Sequence, residues 1–201
     1  MSTMISELIK LLSTLPNLGT KSAKKIALHL VNNKEYAIHT SNIISETVKN
    51  IMNCELCNNI DQSSICHICS DTKRDKSKLC IVDNIEDLWN IENGHCYNGL
   101  YYALNIKPSS IAEMQNSNIN KLFSQLENEQ VKEIIFANSP TTEGQTRLLY
   151  ISDKIKNFIS SSKRDISLTA LGRGMPIGSE IDYLDDGTIK AAFRSRTNLI
   201  N

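Results

Sequence analysis

Two pairs of cysteines are the strongest chemical signal in this 201-residue sequence. Cys54 and Cys57 form one Cys-x2-Cys pair, and Cys66 and Cys69 form a second pair after an eight-residue spacer. Each pair can present two thiolates from one tight turn, and four thiolates complete the tetrahedral coordination that zinc prefers. We therefore predict one structural zinc ion per chain.

Two alternatives to four thiolates stay open at this point: His67 replaces one sulfur ligand, or the pairs are redox-active or accidental. A redox pair of the thioredoxin type opens a helix after a strand and does not come doubled, which favours the metal. Cys80 lies in an apolar run and Cys96 in a polar turn, without a partner at ligand spacing. We expect both to be inert thiols.

A basic segment before the cysteines is a second candidate site. A turn at residues 15–19 precedes a helical pattern with an outer basic face, and residues 15–33 contain no acid. Backbone amides at such a turn, a helix N-terminus and lysines together can hold a phosphate. We predict sequence-independent DNA binding by Asn17, Gly19, Lys21, Lys24 and Lys25. The alternative is an ordinary helical hairpin with a solvated basic face.

Two carboxylates form a third candidate site. Asp83 follows one predicted strand, and Glu143 lies in the first helical turn after another. Ligand sites of open α/β sheets lie at the carboxyl ends of strands, so we expect the two acids to share a crevice. Two carboxylates can bind Mg²⁺. The alternative is structural: Asp83 caps a helix, and Glu143 interacts with a helix dipole.

The elements that position these residues differ between the two halves of the chain. Apolar residues with helical spacing predict three helices before the cysteines (Ile5 to Leu12, Ala23 to Leu30, and Ile44 to Ile51). After them, four short apolar runs predict strands that alternate with helices (Leu79 to Val82, Leu100 to Leu104, Ile134 to Ala137, and Ile166 to Leu171). Such alternation predicts a parallel sheet with helices on both faces.

Charge and composition limit the function classes. The chain carries 22 basic and 22 acidic residues, yet residues 1–50 have a net charge of +3 and residues 80–146 a net charge of −6. A nucleic-acid partner must therefore meet a local basic surface. No apolar run is long enough to span a bilayer, and the start does not resemble a signal peptide. We expect a cytoplasmic protein whose cysteines bind metal, because thiols stay reduced in that compartment.

In this order, the motifs resemble the RecR family of bacterial recombination mediators over nearly the whole chain. The stretches that carry the resemblance are residues 15–23, the four cysteines, residues 70–75, Ser139–Gly144 and Gly174–Gly178. The resemblance implies a multidomain α and β protein. Its parts are a helix-hairpin-helix at 1–53, a four-cysteine zinc module at 54–77, a Toprim α/β domain at 78–172, and a Walker-B-like segment and tail at 173–201.

Members of this family are not known as enzymes, and the resemblance implies the same here. They form ring-like oligomers that encircle DNA, and they work with RecO, often with RecF, to load RecA at gaps. A cytoplasmic, nucleoid-associated location follows from that role. The resemblance also implies that the Toprim acids, Asp83 and Glu143, face the partner side.

Three positions depart from the family pattern: Asn17 replaces a usual glycine, Asp83 a usual glutamate, and residues 107–116 a usual Gly-Pro-rich segment. Catalytic Toprim proteins carry an Asp-x-Asp pair where this chain has Asn138-Ser139-Pro140. Without those acids, a metal has fewer ligands for phosphoryl transfer. This favours a binding scaffold, in which any Mg²⁺ shapes a contact. The rival hypotheses are a metal-dependent Toprim nuclease and a zinc-stabilised adaptor that never touches DNA.

Overall fold

A computed structural model describes residues 3–105, 117–127, 129–172 and 174–196. The chain divides into two compact units, Met1–Ile51 and Met52–Asn201. The cysteine segment and the α/β segment therefore belong to the same unit. Within the described ranges, no helix is long and apolar enough to cross a membrane.

The first unit contains the three predicted helices: α1 (Thr3–Leu12), α2 (Thr20–Asn32) and α3 (Lys34–Asn50). Helix α1 packs against α2, whose small residues Ala23 and Ala27 are fully buried. Helices α1 and α3 have no buried residue of their own. Several large apolar side chains of this unit are consequently exposed: Met4, Leu11, Leu28, Ile38, Ile44 and Val48.

The second unit begins with the cysteine segment. Strands β1 (Met52–Asn53) and β2 (Ile60–Asp61) pair in antiparallel orientation, and the first cysteine pair lies in the loop between them. The short helix α4 (His67–Ser70) carries the last cysteine.

A four-stranded parallel sheet follows, in the order β4-β3-β5-β6. The strands are β3 (Asp75–Val82), β4 (Gly99–Ala103), β5 (Glu133–Ala137) and β6 (Ser167–Ala170). The connecting helices are α5 (Ile85–Asn93), α6 (Ser117–Leu126) and α7 (Thr142–Ser162). All four predicted strands and the parallel arrangement are confirmed, because each apolar run forms a strand of one central sheet.

Alternate residues of β3 face two different cores. Leu79 and Ile81 pack with apolar residues of α6 and α7. Cys80 and Val82 pack in the opposite cluster, which contains Leu88 of α5 and the cysteines of the first segment. One face of the sheet is therefore covered by two helices, and the other by a helix together with the cysteine segment.

The described residues after β6 form a 3-10 turn (Ile181–Tyr183) and helix α8 (Asp186–Arg194). The glycine-rich stretch before them includes a turn in which Gly178 has a φ of +85°, a backbone conformation that favours glycine. Residues 107–116, which depart from the family pattern, lie outside the described residues.

Candidate functional site

The four cysteines meet in one cluster. The sulfur atoms of Cys54, Cys57, Cys66 and Cys69 lie within 4.8 Å of one another, and those of Cys57 and Cys66 are 3.5 Å apart. In a regular tetrahedron with zinc–sulfur bonds of about 2.3 Å, sulfur atoms are about 3.8 Å apart. The geometry of the cluster therefore fits a metal ion bound by four thiolates.

Backbone amides support the sulfur atoms. The amide of Cys66 donates to Sγ of Cys54 at 3.3 Å, and the amide of Asn59 donates to Sγ of Cys57 at 3.4 Å. Such bonds orient the ligands and stabilise the charge of a thiolate. His67 is exposed, and its Nδ1 lies 2.9 Å from Oδ2 of Asp61. Among the described residues, the group that could bind a metal ion does not include His67. A donor set of four sulfur atoms therefore fits better than one with histidine.

The sulfur atoms also change one another's pKa values. Hydrogen bonding to Cys57 and Cys69 lowers the pKa of Cys66, and the same bond to Cys66, together with burial, raises the pKa of Cys57. A cation bound by this cluster replaces the shared protons. Metal binding should therefore release protons and strengthen as pH rises.

The two other cysteines are not part of the four-sulfur group. Cys80 is buried in β3, and burial raises the pKa of its thiol to about 12. A thiol with such a pKa is almost fully protonated at neutral pH, which supports the prediction of an inert Cys80. Cys96 is exposed and unpaired by any disulfide.

The carboxyl ends of β3 and β5 place Asp83 beside the loop before α7. Because Val82 pairs with Ala137, the next residues, Asp83 and Asn138, are neighbours across the sheet. Oδ1 of Asp83 accepts a hydrogen bond from Nδ2 of Asn138 at 2.6 Å, and Oδ2 accepts one from the amide of Ser139 at 3.1 Å. Asp83 does not cap helix α5, whose N-cap is Asn84.

Arg147 completes the environment of Asp83. Its Nε donates to Oδ1 of Asp83 at 2.9 Å, and both side chains are buried. Burial alone would raise the pKa of Asp83, but the hydrogen bonds from Arg147, Asn138 and Ser139 outweigh it and hold the pKa below its usual value. The sequence does not predict this role for Arg147, because Arg147 lies 64 positions after Asp83 and belongs to no motif.

The loop from Ser139 to Gly144 has a close-packed backbone. Thr141 caps α7, since its Oγ1 accepts a hydrogen bond from the amide of Gly144 at 3.1 Å. A Cβ atom at Gly144 would collide with the carbonyl oxygen of Ser139. This motif therefore needs glycine to bring the Ser139 amide to Asp83. Glu143 is in the first turn of α7 and is exposed, whereas Asp83 is buried.

A further acid, Asp87, lies in the first turn of α5, close to Asp83. Burial and the nearby charge of Asp83 raise the pKa of Asp87. The hydrogen bond to Asp83 is the main cause that raises the pKa of Arg147. The negative charges of Glu143 and Asp87 raise it further. Asp83, Asp87, Glu143 and Arg147 thus form one interacting group, which we call the acidic edge.

The basic turn of the first unit has the expected backbone. Asn17 has a φ of +59°, the left-handed conformation that asparagine tolerates better than most residues. Gly19 is the N-cap of α2 and offers no side-chain cap, and a Cβ atom there would meet nothing within 4 Å. The amides at this helix start are therefore sterically accessible.

The lysines of α2 lie beside this open helix start. Lys21, Lys24 and Lys25 are exposed, while Ala23 and Ala27 on the other side of the helix are buried. Helix α2 contains no acidic residue. The surface therefore combines accessible amides with three positive charges, an arrangement suited to a phosphate.

Family models match three parts of the chain. Residues 5–40 match "RecR, helix-hairpin-helix", residues 77–163 match "Toprim domain" and residues 174–197 match "RecR, C-terminal". The recombination protein RecR of Pelagibacter ubique is 39% identical over 198 residues, covering 97% of this chain and 95% of that protein.

Two further relatives have the same extent. The recombination proteins RecR of Brucella melitensis biotype 1 and Brucella abortus strain 2308 are each 37% identical over 198 residues, with 97% of this chain and 96% of the relative covered. With this similarity along almost its entire length, the chain belongs to the RecR family of recombination proteins.

Proposed function

We propose that this protein is a DNA-binding mediator of recombination and repair that works with RecO, and often with RecF, to load RecA at single-strand gaps. The names of its relatives support a role in recombination. The partners and the loading step come from the family resemblance. The observation that favours a mediator over an enzyme is the pairing of Asp83 with Arg147.

This ion pair reduces the negative charge that Asp83 can provide to a catalytic metal ion. Oδ1 of Asp83 already accepts two hydrogen bonds, and the Arg147 guanidinium neutralises the carboxylate. Asn138 and Pro140 stand where catalytic Toprim proteins carry the two acids of the Asp-x-Asp pair. A site whose buried carboxylate is neutralised and which lacks the Asp-x-Asp pair is poorly suited to stabilise the charge of phosphoryl transfer. We infer that the acidic edge contacts a protein partner, and that Mg²⁺, if bound there, shapes this contact.

The DNA-binding surface in this proposal is the turn at Asn17 and Gly19 together with Lys21, Lys24 and Lys25. Contacts of lysines and backbone amides with phosphates do not depend on base sequence. A single chain neutralises only a few phosphates in this way, so its binding is weak. Repetition of the surface around an oligomeric ring raises the effective concentration and hence the affinity.

The exposed apolar side chains of α1 and α3 support such a ring, because surfaces of this kind are commonly buried between subunits. We further infer that the metal of the cysteine cluster is zinc with a structural role. Four thiolates leave no open coordination position for a substrate.

The experiment that tests this function separates the two surfaces. A Lys21→Glu, Lys24→Glu, Lys25→Glu variant should lose DNA binding and retain RecO binding. A Glu143→Lys variant should bind DNA normally and bind RecO more weakly, since Glu143 is the exposed acid of the acidic edge. The matched control is Asp153→Lys on the same helix, which is also exposed. If the lysine variant still binds gapped DNA with unchanged affinity, the assignment of the DNA surface is wrong.

A further inference from the structure

Asn58, which follows the zinc ligand Cys57, joins the cysteine cluster to the edge of the parallel sheet. It is buried and has a φ of +62°. Its Nδ2 donates to the carbonyl oxygen of Ala103 at 2.9 Å, and the amide of Ala103 donates to the carbonyl oxygen of Cys57 at 2.9 Å. Ala103 ends β4, the edge strand of the sheet. The first cysteine loop therefore satisfies backbone groups that this strand end would otherwise leave unpaired.

Lys121 of α6 holds the same loop from another side. Its Nζ donates to Oδ1 of Asn58 at 2.9 Å and to the carbonyl oxygen of Cys54 at 3.0 Å. Both acceptors are uncharged. A zinc ion with four thiolates has a net charge of −2, so an ammonium group beside the ligand residue Cys54 is electrostatically favourable.

Asn105 continues the connection to the acidic edge. Its Nδ2 donates to the carbonyl oxygen of Asn58 at 3.1 Å, and its amide donates to the carbonyl oxygen of Asp83 at 3.0 Å. Asn105 has a φ of +48°, so two asparagines in the left-handed conformation occupy successive positions of this path. The hydrogen-bonded path thus runs from the Cys57 loop through Asn58 and Asn105 to Asp83.

We propose that the metal site positions the acidic edge, with Asn58, Lys121 and Asn105 as the positioning residues. The inference rests on the zinc site proposed above. Zinc fixes the Cys54–Cys57 loop, the loop fixes the end of β4 and Asn105, and Asn105 holds the backbone of Asp83. Zinc and the acidic edge are therefore energetically coupled, and the coupling is reciprocal.

Amide hydrogen exchange of the full-length, zinc-loaded protein tests this coupling. Zinc content is measured first, by metal analysis. In Asn58→Gly, which keeps the left-handed backbone accessible, and in Lys121→Met, we expect the amides of Ala103 and Asn105 to exchange on the order of tenfold faster while zinc stays bound. By reciprocity, both variants should release zinc to a chelator faster than the wild type.

Two controls match these substitutions. His95→Gly removes an exposed side chain at another left-handed residue, and Lys156→Met removes an exposed lysine of α7. Neither should change the exchange of Ala103 and Asn105 or the release of zinc. Wild-type exchange at these two amides in both loaded variants would overturn the coupling and leave the zinc assignment intact. Absence of zinc from the purified wild-type protein would overturn both.

Discussion

Arg147 donates from Nε to Oδ1 of Asp83 at 2.9 Å, and the two side chains are only 10% and 6% exposed. The pair joins the end of β3 to helix α7, across 64 positions of sequence. A buried carboxylate needs a partner of opposite charge, since burial without one is very unfavourable. Arg147 provides that partner here, and the neutralised carboxylate is the observation that favours a binding role over a catalytic one.

The pair should show strong energetic coupling. Removing one partner of a buried ion pair costs about 3–5 kcal/mol, because the other charge stays buried and unpaired. We therefore expect Arg147→Met to destabilise the protein by about 3 kcal/mol, and the Asp83→Asn, Arg147→Met double variant to be more stable than the two separate losses predict. Urea unfolding followed by the fluorescence of Trp89, the only tryptophan, measures these differences. Simple additivity of the two losses would contradict the coupling.

Stability should depend on Asp83 in acid. Because the pKa of Asp83 is lower in the folded protein than in the unfolded chain, its contribution is complete above the unfolded value of about 3.9 and is lost as pH falls through the folded value. The free energy of unfolding of the wild type should thus fall more steeply below about pH 4 than that of Asp83→Asn. Asp153→Asn serves as the exposed control. Parallel profiles for the wild type and Asp83→Asn would show that Asp83 contributes nothing.

Metal analysis should find about one zinc ion per chain, and much less in Cys66→Ser. Trp89 offers an optical test of the same site. Its Nε1 donates to Oδ1 of Asn59 at 3.0 Å, and the amide of Asn59 donates to the Cys57 sulfur. Chelation of zinc should therefore change the emission of Trp89, which is 45% exposed. A purified protein that contains no zinc, and whose Trp89 emission does not change when a chelator is added, would refute the zinc site.

DNA affinity should fall steeply as the salt concentration rises and should not depend on base sequence. Each lysine that contacts a phosphate releases about one counterion, so Lys24→Ala should reduce the slope of log affinity against log salt by about 1 for each chain in contact with DNA. Lys156→Ala, in an exposed part of α7, should leave the slope unchanged. Titration of labelled DNA at several salt concentrations gives both slopes. A salt-independent and sequence-selective isotherm would contradict the surface.

The exposed apolar residues predict an oligomer. Besides those of α1 and α3, Tyr183 and Phe193 near the C-terminus are 83% and 67% exposed. Large apolar side chains that are exposed in the single chain become buried when subunits associate. Light scattering at micromolar concentration should give a mass of several chains. A mass near 22.5 kDa would contradict the ring.

Local patterns in the sequence were sufficient to predict the main elements. The spacing of Ile5, Leu8 and Leu12 predicted α1, and the run from Ile134 to Ala137 predicted β5, because each depends on one repeating apolar face. The two Cys-x2-Cys pairs likewise carry their geometry in their spacing. Strands β1 and β2 have only two residues each, which is too short for a periodic signal.

Contacts between distant parts of the chain could not be predicted in this way. Only the register of β3 against β5 brings α7, and with it Arg147, to Asp83. Lys121 is 67 positions from Cys54, whose carbonyl oxygen it contacts. Asn58 resembles a loop residue in sequence, although it is buried. The sheet determines these neighbours, so a single sequence carries no local sign of them.

The most direct test of the mediator function is a gel-shift assay of the zinc-loaded protein on labelled gapped DNA, with and without Mg²⁺. The same DNA is then analysed on a denaturing gel. We predict a shifted complex whose DNA strands are intact, and a shift that is lost in the Lys21→Glu, Lys24→Glu, Lys25→Glu variant. Strands that are cleaved by the wild type and left whole by an Asp83→Ala, Glu143→Ala variant would instead identify a Toprim nuclease and contradict the proposed function.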